Sequence, residues 1–499
     1  MLVALGLVAH AAVEVMPPRV ILKLRPAIAT ASTGGLPGFR VVTPARGENV
    51  AAAAMRLAAL PGVEAAEIDS PVRITPLPAV KAPLVGISTQ ITASAAAHGG
   101  ELLPNDPLWP QQWGGVAATA PAAWAHAAAA DAAATAAGDS STSPPIVCII
   151  DTGVDYTHPD LAPSMHPARG WNVLTNSNDP MDDNGHGTHC AGTVGAAWGN
   201  GYGTAGLAGP HVSILACKFI NAKGEGQVSG IVECLDYCLR MGAAVSSNSY
   251  GVPGLARKGS IVAAAIAAAG ASGHLFVAAA GNTGSDNDAG LAAPWRGGGA
   301  GWEGAGAAPP APNAGPAFPA AFGLPTMLSV AAAELAPAGG GVLQLALYSN
   351  RGPRTTHLVA PGTAILSTWP GGGWVLQSGT SQAAPFVAGS AALLLAATRG
   401  RRSGMQARAA LLATARRAPA CEGAVETGGL LDTAAALEWA LDAAQVRAPP
   451  AGELLAPPPP PASLPNRLGR ARAHPLGGGA GHVAENGGVQ PQAARESAG

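Results

Sequence analysis

The apolar positions of residues 19–75 follow a strand period and a helix period in turn. Residues 20–24 alternate apolar and polar side chains like a strand, and residues 50–60 carry apolar side chains at helical spacing. A Pro61-Gly62 turn separates that helix from a second alternating segment, residues 63–74. The pattern predicts a small α+β domain over residues 19–75.

From residue 105 to residue 444, short and wholly apolar runs alternate with longer helical segments. Runs without polar alternation are typical of strands that are buried on both faces. The strand candidates are residues 146–150, 213–216, 244–247, 275–280 and 328–332, and the clearest helix candidates are residues 229–240 and 259–270. Their alternation predicts an α/β domain with a parallel central sheet flanked by helices. A Gly/Ala/Pro-rich stretch, residues 286–317, interrupts it.

The remaining segments lack a period of either kind. Residues 76–104 are rich in Pro, Ala and Ser and predict a linker, and residues 445–499 predict a disordered Pro/Gly/Ala-rich tail. Residues 1–18 begin with a short apolar stretch in which Ala9-His10-Ala11 fits a signal cleavage pattern, but no positive residue precedes it. A signal segment and a plain apolar N-terminal stretch are both open.

Composition narrows the classes of function. The formal charge of −2 and the pI near 6.6 show no basic excess, so the sequence does not favour a nucleic-acid partner. No uninterrupted apolar run approaches the roughly 18 residues of a membrane span. With 48% hydrophobic but only 4% aromatic residues, the core must consist mostly of Ala, Val and Leu.

The cysteines do not settle the cellular compartment. Four of the six lie within apolar segments, where a cysteine usually behaves as a small hydrophobic residue. Cys234 and Cys238 are four positions apart on a predicted helix, which is a poor geometry for a disulfide between them. We therefore predict buried free thiols.

Four short motifs carry groups that are suited to catalysis. Asp151 ends a buried strand, His186 opens a helix between two glycines, Asn282 follows another strand and Ser381 lies at a helix start. Each has a structural explanation when taken alone: a helix cap or metal ligand for the aspartate, a core histidine, an Asn-Thr-Gly turn and an N-cap serine. Their order along the chain is more informative, because Asp, then His, then Ser is the order of the subtilisin triad.

These motifs resemble the signatures of the subtilisin family. The matching segments are Asp-Thr-Gly at Asp151, His-Gly-Thr-His at His186, Ala-Ala-Gly-Asn at Asn282 and Gly-Thr-Ser-x-Ala at Ser381, and the similarity covers roughly residues 105–397. Cys190, just after the histidine motif, is similar to the buried cysteine of the proteinase K branch. The resemblance implies a subtilisin-like fold and a serine endopeptidase that needs no cofactor for catalysis.

The resemblance also implies a role for each motif. Ser381 would be the nucleophile, His186 the general base and Asp151 the residue that orients the imidazole, while Asn282 would stabilise the oxyanion. An extended peptide substrate would pair with the backbone of two segments, namely Ser249, Tyr250 and Gly251, and Ala280 and Gly281 at the end of the strand before Asn282.

Further expectations come from the same family. Asp160 lies at a position that often binds calcium, and Asp106 lies in an Asn-Asp-Pro stretch that does so in some members; a helix cap or turn is the alternative for both. Residues 19–75 resemble the inhibitory propeptide of the family. This implies a monomeric zymogen that cuts itself between about Thr75 and Leu108 and is secreted or held in the secretory or vacuolar pathway.

Two rival hypotheses differ in the class of function. A catalytically inactive subtilisin-like module that binds peptides or proteins would be expected to lack a triad residue or the oxyanion donor, and this sequence keeps all four. An esterase of the α/β-hydrolase type would need its serine before its aspartate and its aspartate before its histidine, whereas the order here is Asp, His, Ser.

Overall fold

The computed structural model describes residues 18–26, 35–74, 77, 102–139, 143–252, 255, 260–289, 291, 315–336 and 341–442. The segment at residues 1–18, the linker, the 286–317 stretch and the tail at residues 445–499 therefore lie wholly or mostly outside the described residues. Secondary structure and contacts below refer to the described residues.

The N-terminal domain is a small antiparallel sheet covered by one helix. Its elements are β1 (Val20–Leu24), β2 (Phe39–Val42), α1 (Val50–Ala58) and β3 (Val63–Ile68), and the sheet has the order β2-β1-β3. Asn49 caps α1 because its Oδ1 accepts hydrogen bonds from two backbone N–H groups of the first turn. Ala53 and Leu57 pack on Val20 and Leu22 of the sheet. The predicted α+β architecture is present, with β2 as an additional strand.

The larger part of the chain is an α/β structure. A short strand at the end of the N-terminal region, β4 (Pro71–Arg73), pairs with one of its strands. The strands of the α/β structure itself are β5 (Ile146–Asp151), β6 (Met165–Asn172), β7 (Ser213–Lys218), β8 (Glu225–Gln227), β9 (Val245–Asn248), β10 (Leu275–Ala279), β11 (Met327–Leu335), β12 (Leu343–Leu345), β13 (Leu358–Pro361), β14 (Ile365–Trp369), β15 (Gly373–Gln377), β16 (Arg416–Arg417) and β17 (Gly429–Leu430). Its helices are α2 (Trp113–Ala117), α3 (Ala120–Ala136), α4 (His186–Gly195), α5 (Val228–Arg240), α6 (Ile261–Ala271), α7 (Thr380–Ala397), α8 (Gly404–Ala413) and α9 (Thr433–Leu441).

The central sheet is parallel through its middle, as predicted. Its order is β16-β17-β13-β11-β10-β9-β5-β7-β6, with β12 antiparallel to β11. The side chains of β5 alternate between the two faces of the sheet: Val147 and Ile149 belong to a core with α4 and α7, whereas Cys148 and Ile150 belong to a core with α5 and α6. Apolar side chains on both faces explain why the strands read as continuous apolar runs.

Helix α7 is a core helix. Among the described residues it is long and apolar enough, on length and composition, to cross a membrane. However, 94% of it is buried within the protein, where it contacts β9, β10, β11 and β13 of the central sheet. Its many alanines are small enough to allow close contact with the sheet.

The prediction of free thiols is wrong for four of the six cysteines. Disulfides join Cys148 to Cys238 and Cys217 to Cys234, and only Cys190 and Cys421 are free among the described residues. Cys234 and Cys238 cannot pair with each other, as expected, but each faces a different strand beneath α5. The Cα–Cα distances of 6.0 and 5.6 Å suit a disulfide.

We expect two alkylatable thiols per chain in denaturant without a reductant, and six after reduction, as counted by mass spectrometry. Cys238→Ser should lower the free energy of unfolding by about 4 kcal/mol, because the bond closes a loop of 90 residues. Cys421→Ser, at a buried free thiol, is the control and should form the same two disulfides. Six thiols before reduction would contradict this pairing.

Candidate active site

The four predicted residues lie together at the carboxyl edge of the central sheet. Asp151 is the last residue of β5, Asn282 follows β10, and His186 and Ser381 lie in the first turns of α4 and α7. Parallel strands all end at this edge, so side chains that are distant in the sequence meet there.

Glycines allow α4 to approach the end of β5. A Cβ atom on Gly187 would lie 2.1 Å from the carbonyl oxygen of Gly153 and 3.1 Å from Cβ of Asp151. Gly153 itself has φ +105°, which a larger side chain rarely adopts. The small residues of the two motifs therefore bring His186 to hydrogen-bonding distance of Asp151.

Asp151 and His186 form a buried pair. Nδ1 of His186 lies 2.8 Å from Oδ1 of Asp151, which also accepts a hydrogen bond of 2.7 Å from the N–H of Thr152. Burial lowers the pKa of His186, but the charge of Asp151 and the hydrogen bond outweigh this effect and hold the pKa above its ordinary value. The aspartate thus fixes the tautomer with the proton on Nδ1 and leaves Nε2 as the acceptor.

Ser381 is close to this pair but is not hydrogen-bonded to it. Its Oγ donates to the carbonyl oxygen of Ser249 at 3.3 Å, and Nε2 of His186 has no hydrogen-bond partner among the described residues. Hydrogen bonds between a nucleophile and its base are commonly long or absent before a substrate binds.

Asn282 is held at the start of α7. Its Oδ1 accepts hydrogen bonds from the N–H and the hydroxyl of Thr380, at 2.8 and 2.9 Å. This fixes the amide so that its NH₂ group points elsewhere; Nδ2 lies 3.1 Å from where a Cβ of Gly379 would be. The amide is therefore held beside the first turn of α7, which contains Ser381 and whose backbone N–H groups favour an anion.

Cys190 lies one helical turn after His186. Its Sγ donates to the carbonyl oxygen of Ser381 at 3.4 Å, and burial raises the pKa of the thiol well above its usual range. The candidate ligand atoms of Asp151, His186 and Cys190 lie within 4.8 Å of one another. Because the thiol stays protonated and donates to the backbone, it supports the first turn of α7 at Ser381.

Other nearby histidines have structural partners. Nε2 of His189 lies 3.0 Å from the carbonyl oxygen of Ile365, and burial lowers its pKa to about 3. Nε2 of His158 lies 2.9 Å from the carbonyl oxygen of Gly373. Neither histidine bonds to a second titratable side chain in the described part of the chain.

A cleft of about 460 Å³ opens beside Ser381. Its lining contains Ser249, Tyr250, Gly251 and Gly281 but not Ala280. Ala280 is fully buried, its N–H donates to Val330 and its carbonyl oxygen accepts from Asn287, so the prediction that it binds substrate is wrong. The other lining residues are Arg73, Val252, Leu255, Ala279, Asn282, Thr283, Gly315, Pro316, Ala317, Phe318, Thr380 and Ser381.

The second wall of the cleft is also not the one expected. The strand before Asn282, β10, is paired on both sides by β9 and β11 and has no free edge. Instead β8, at residues 225–227, and Gly251 lie on opposite sides of strand β4 and both pair with it. Sequence reasoning missed β8 because it has three residues and contains a glycine.

Strand β4 of the N-terminal region lies between these two walls. It pairs antiparallel with β8, with Val72 opposite Gly226, and Arg73 exchanges backbone hydrogen bonds of 2.9 and 3.0 Å with Gly251. The N–H of Ile74 donates to the carbonyl oxygen of Gly224 at 3.0 Å. Val72 is fully buried. The described end of the N-terminal region therefore occupies the cleft as an extended strand.

The N-terminal domain also caps two helices of the α/β domain. Oδ1 of Asp69 accepts from the N–H of Ser229 at the start of α5, and Glu67 accepts from the N–H of Ile261 at the start of α6, at 2.8 and 2.7 Å. Carboxylates are favourable at a helix N-terminus because its first N–H groups have no partner within the helix and the helix dipole is positive there.

Comparison with known proteins identifies the family. The model of the subtilase family matches residues 142–437. The chain belongs to the subtilase family. It is 36% identical over 258 residues to a thermophilic serine proteinase of Bacillus sp. (strain AK1), which is 51% of this chain and 52% of the relative.

Two further relatives agree with this assignment. Thermitase of Thermoactinomyces vulgaris is 33% identical over 313 residues, which is 62% of this chain and 91% of thermitase. Subtilisin E of Bacillus subtilis (strain 168) is 32% identical over 250 residues, 50% of this chain and 55% of the relative. The match thus spans about half the length of subtilisin E and of the AK1 proteinase.

The two residues predicted to bind calcium, Asp160 and Asp106, differ in whether a carboxylate oxygen is free to bind a cation. Both carboxylate oxygens of Asp160 accept protein hydrogen bonds, from Asn200, Thr204 and Trp374. Asp106 accepts from the N–H of Gly199 through Oδ2, but its buried Oδ1 has no partner among the described residues. Burial, together with the charge of Asp160, raises the pKa of Asp106. Only Asp106 offers an unused oxygen as it stands.

We expect Asp151→Asn to lower the pKa of His186, because the negative charge that favours the imidazolium is removed. The imidazole would then lose its proton at a lower pH than in the native pair. The measurement is an NMR titration of ¹⁵N-histidine-labelled chain in a Ser381→Ala background, which prevents proteolysis. The control is Asp155→Asn, which changes a nearby buried carboxylate that accepts hydrogen bonds from Thr157 and Gly371. It should leave the titration midpoint of His186 unchanged. An unchanged midpoint in Asp151→Asn would contradict the assignment.

Proposed function

We propose that this subtilase is a serine endopeptidase in which Asp151, His186 and Ser381 are the catalytic triad and Asn282 supplies the oxyanion donor. The observation that carries the proposal is the buried Asp151–His186 hydrogen bond of 2.8 Å next to Ser381 and an elongated cleft. Family membership adds support from an independent source.

In the proposed reaction Oγ of Ser381 attacks the scissile carbonyl carbon while its proton passes to Nε2 of His186. Asp151 keeps the imidazole in the required tautomer and stabilises the imidazolium. The tetrahedral oxyanion accepts hydrogen bonds from Asn282 and from the N–H of Ser381. His186 then protonates the leaving amine, and the acyl-enzyme forms. Water then gives a proton to His186 and attacks the ester carbon. The ester C–O bond breaks, His186 returns the proton to Oγ of Ser381, and the carboxylic acid product leaves.

The character of the cleft supports an uncharged residue just before the scissile bond. Apart from Arg73 of the N-terminal strand, the described lining is apolar or neutral. Recognition through backbone pairing with β8 and Gly251 would tolerate many sequences.

The N-terminal region would act as a built-in inhibitor. Strand β4 fills the cleft in the manner of a substrate, and Asp69 and Glu67 cap α5 and α6 from the same side. We propose on this basis that the chain is a zymogen that cuts itself between about Thr75 and Leu108, in a segment mostly outside the described residues.

We expect the wild-type chain to cut itself there and to bind an organophosphonate covalently, whereas Ser381→Ala should do neither because the nucleophile is gone. Asn282→Ala should retain both reactions but lower kcat by about 10²- to 10³-fold, a magnitude borrowed from the oxyanion asparagine of subtilisin. Gel electrophoresis, mass spectrometry of the label and peptide kinetics provide the measurements.

The same experiment distinguishes the peptidase from the rival hypothesis of an inactive binding module. An inactive peptide-binding module would leave the wild type uncut and unlabelled while the cleft still bound peptides. Labelling without a self-cut would support the peptidase and reject the self-processing zymogen.

The two disulfides support an oxidising location for the chain. Such bonds persist in secreted and secretory-pathway proteins and are rare in reducing compartments. We propose secretion or residence in the secretory or vacuolar pathway.

We further propose a structural calcium ion at Asp106, held through the unused Oδ1. It would offset the repulsion between Asp106 and Asp160 and stabilise residues 199–204.

We expect calcium to raise the melting temperature by several degrees relative to EDTA, and Asp106→Asn to remove the difference. Magnesium is the control ion, because it prefers a stricter geometry with more bound water. Identical melting with calcium and with EDTA would reject the site.

A further inference from the structure

We propose that Glu225 is a specificity-determining residue of this subtilase, which favours a basic side chain at the third residue before the scissile bond. This inference rests on the proposed peptidase function and deepens it. It starts from strand β4, which the structure places in the cleft in one defined register.

The register fixes which residue of a bound strand faces which part of the wall. Arg73 forms the antiparallel bridge with Gly251. In an antiparallel pair, a strand bound in this way has its residue two positions later opposite Ser249, whose carbonyl oxygen lies 3.3 Å from Oγ of Ser381. A substrate residue at that place precedes the scissile bond. The place of Arg73 is therefore the third residue before the bond, and that of Val72 the fourth.

The side chains at these two places face opposite environments. Val72 is fully buried among apolar side chains of the α5–α6 core, whereas the side chain of Arg73 is 64% exposed. Alternation along a strand accounts for this difference. The buried place demands an apolar residue, and the outward place leaves room for a charged one.

Glu225 lies directly opposite Arg73 in the β4–β8 register. Nη2 of Arg73 lies 3.7 Å from Oε1 of Glu225, and the glutamate side chain is 49% exposed. Residues directly opposite each other in a sheet present their side chains on the same face, where opposite charges attract. A substrate that replaces β4 would bring its third residue to the same carboxylate.

The exposure of both side chains limits the size of the effect. Solvent-exposed ion pairs are weak and screened by salt, so we expect a preference for arginine over glutamine of about two- to fivefold in kcat/KM. A glutamate at the same place should be disfavoured further by repulsion.

The test uses three fluorogenic peptides, Val-Arg-Ile-Leu, Val-Gln-Ile-Leu and Val-Glu-Ile-Leu, cleaved after leucine by the processed enzyme at a known concentration of active sites. The wild type should prefer the arginine peptide, and the preference should shrink in 1 M salt. Glu225→Gln should abolish it, and Glu225→Lys should reverse it in favour of the glutamate peptide. Glu438→Gln is the matched control. Glu438 is also an exposed glutamate in an ion pair, but it lies on α9 and its partner is His126 of α3.

Each outcome is decisive. Equal cleavage of the three peptides by the wild type, or an unchanged order in Glu225→Lys, would overturn the role of Glu225 while leaving the peptidase intact. Failure to cleave any of them, together with no covalent labelling of Ser381, would instead overturn the proposed function.

Discussion

The close approach of helix α4 to the end of strand β5 is the constraint on which the site depends. The contact is possible because Gly187 has no side chain, since a Cβ atom there would meet the carbonyl oxygen of Gly153. It places an imidazole against a buried carboxylate, where low solvent exposure makes their attraction strong. A larger residue at Gly187 would push the helix away from the backbone of Gly153, and backbone cannot adjust as the end of a flexible side chain can.

The middle of the fold was predictable because its strands are buried on both faces. Runs such as residues 146–150 had no other stable location, and the first residue after each run then marked the carboxyl edge of the sheet. Asp151 and Asn282 could be found by this reasoning from residue order alone. The family resemblance supplied what periodicity lacks, namely which strand ends lie next to each other.

The errors have a common physical origin, since each depended on contacts between distant segments. Cys148 and Cys238 are 90 residues apart, and no local pattern shows that β5 lies beneath α5. Ala280 has the composition of a cleft residue, but its backbone groups are used by Val330 and Asn287. Strand β8 is too short for an apolar period, and only its partner β4 reveals it as a wall of the cleft.

Helix α5 connects these observations. Both disulfides end on it, from β5 and from β7, and β8 leads directly into its first residue, Val228. Its start also receives Asp69 from the N-terminal domain, while Arg19 forms an ion pair of 2.8 Å with Glu233 further along it. A helix that is covalently bound to two strands of the central sheet gives the adjoining wall a fixed position. A fixed wall would hold a substrate strand in a single register. In the proposed mode of binding, that single register is what would let one exposed carboxylate distinguish one substrate residue from its neighbours.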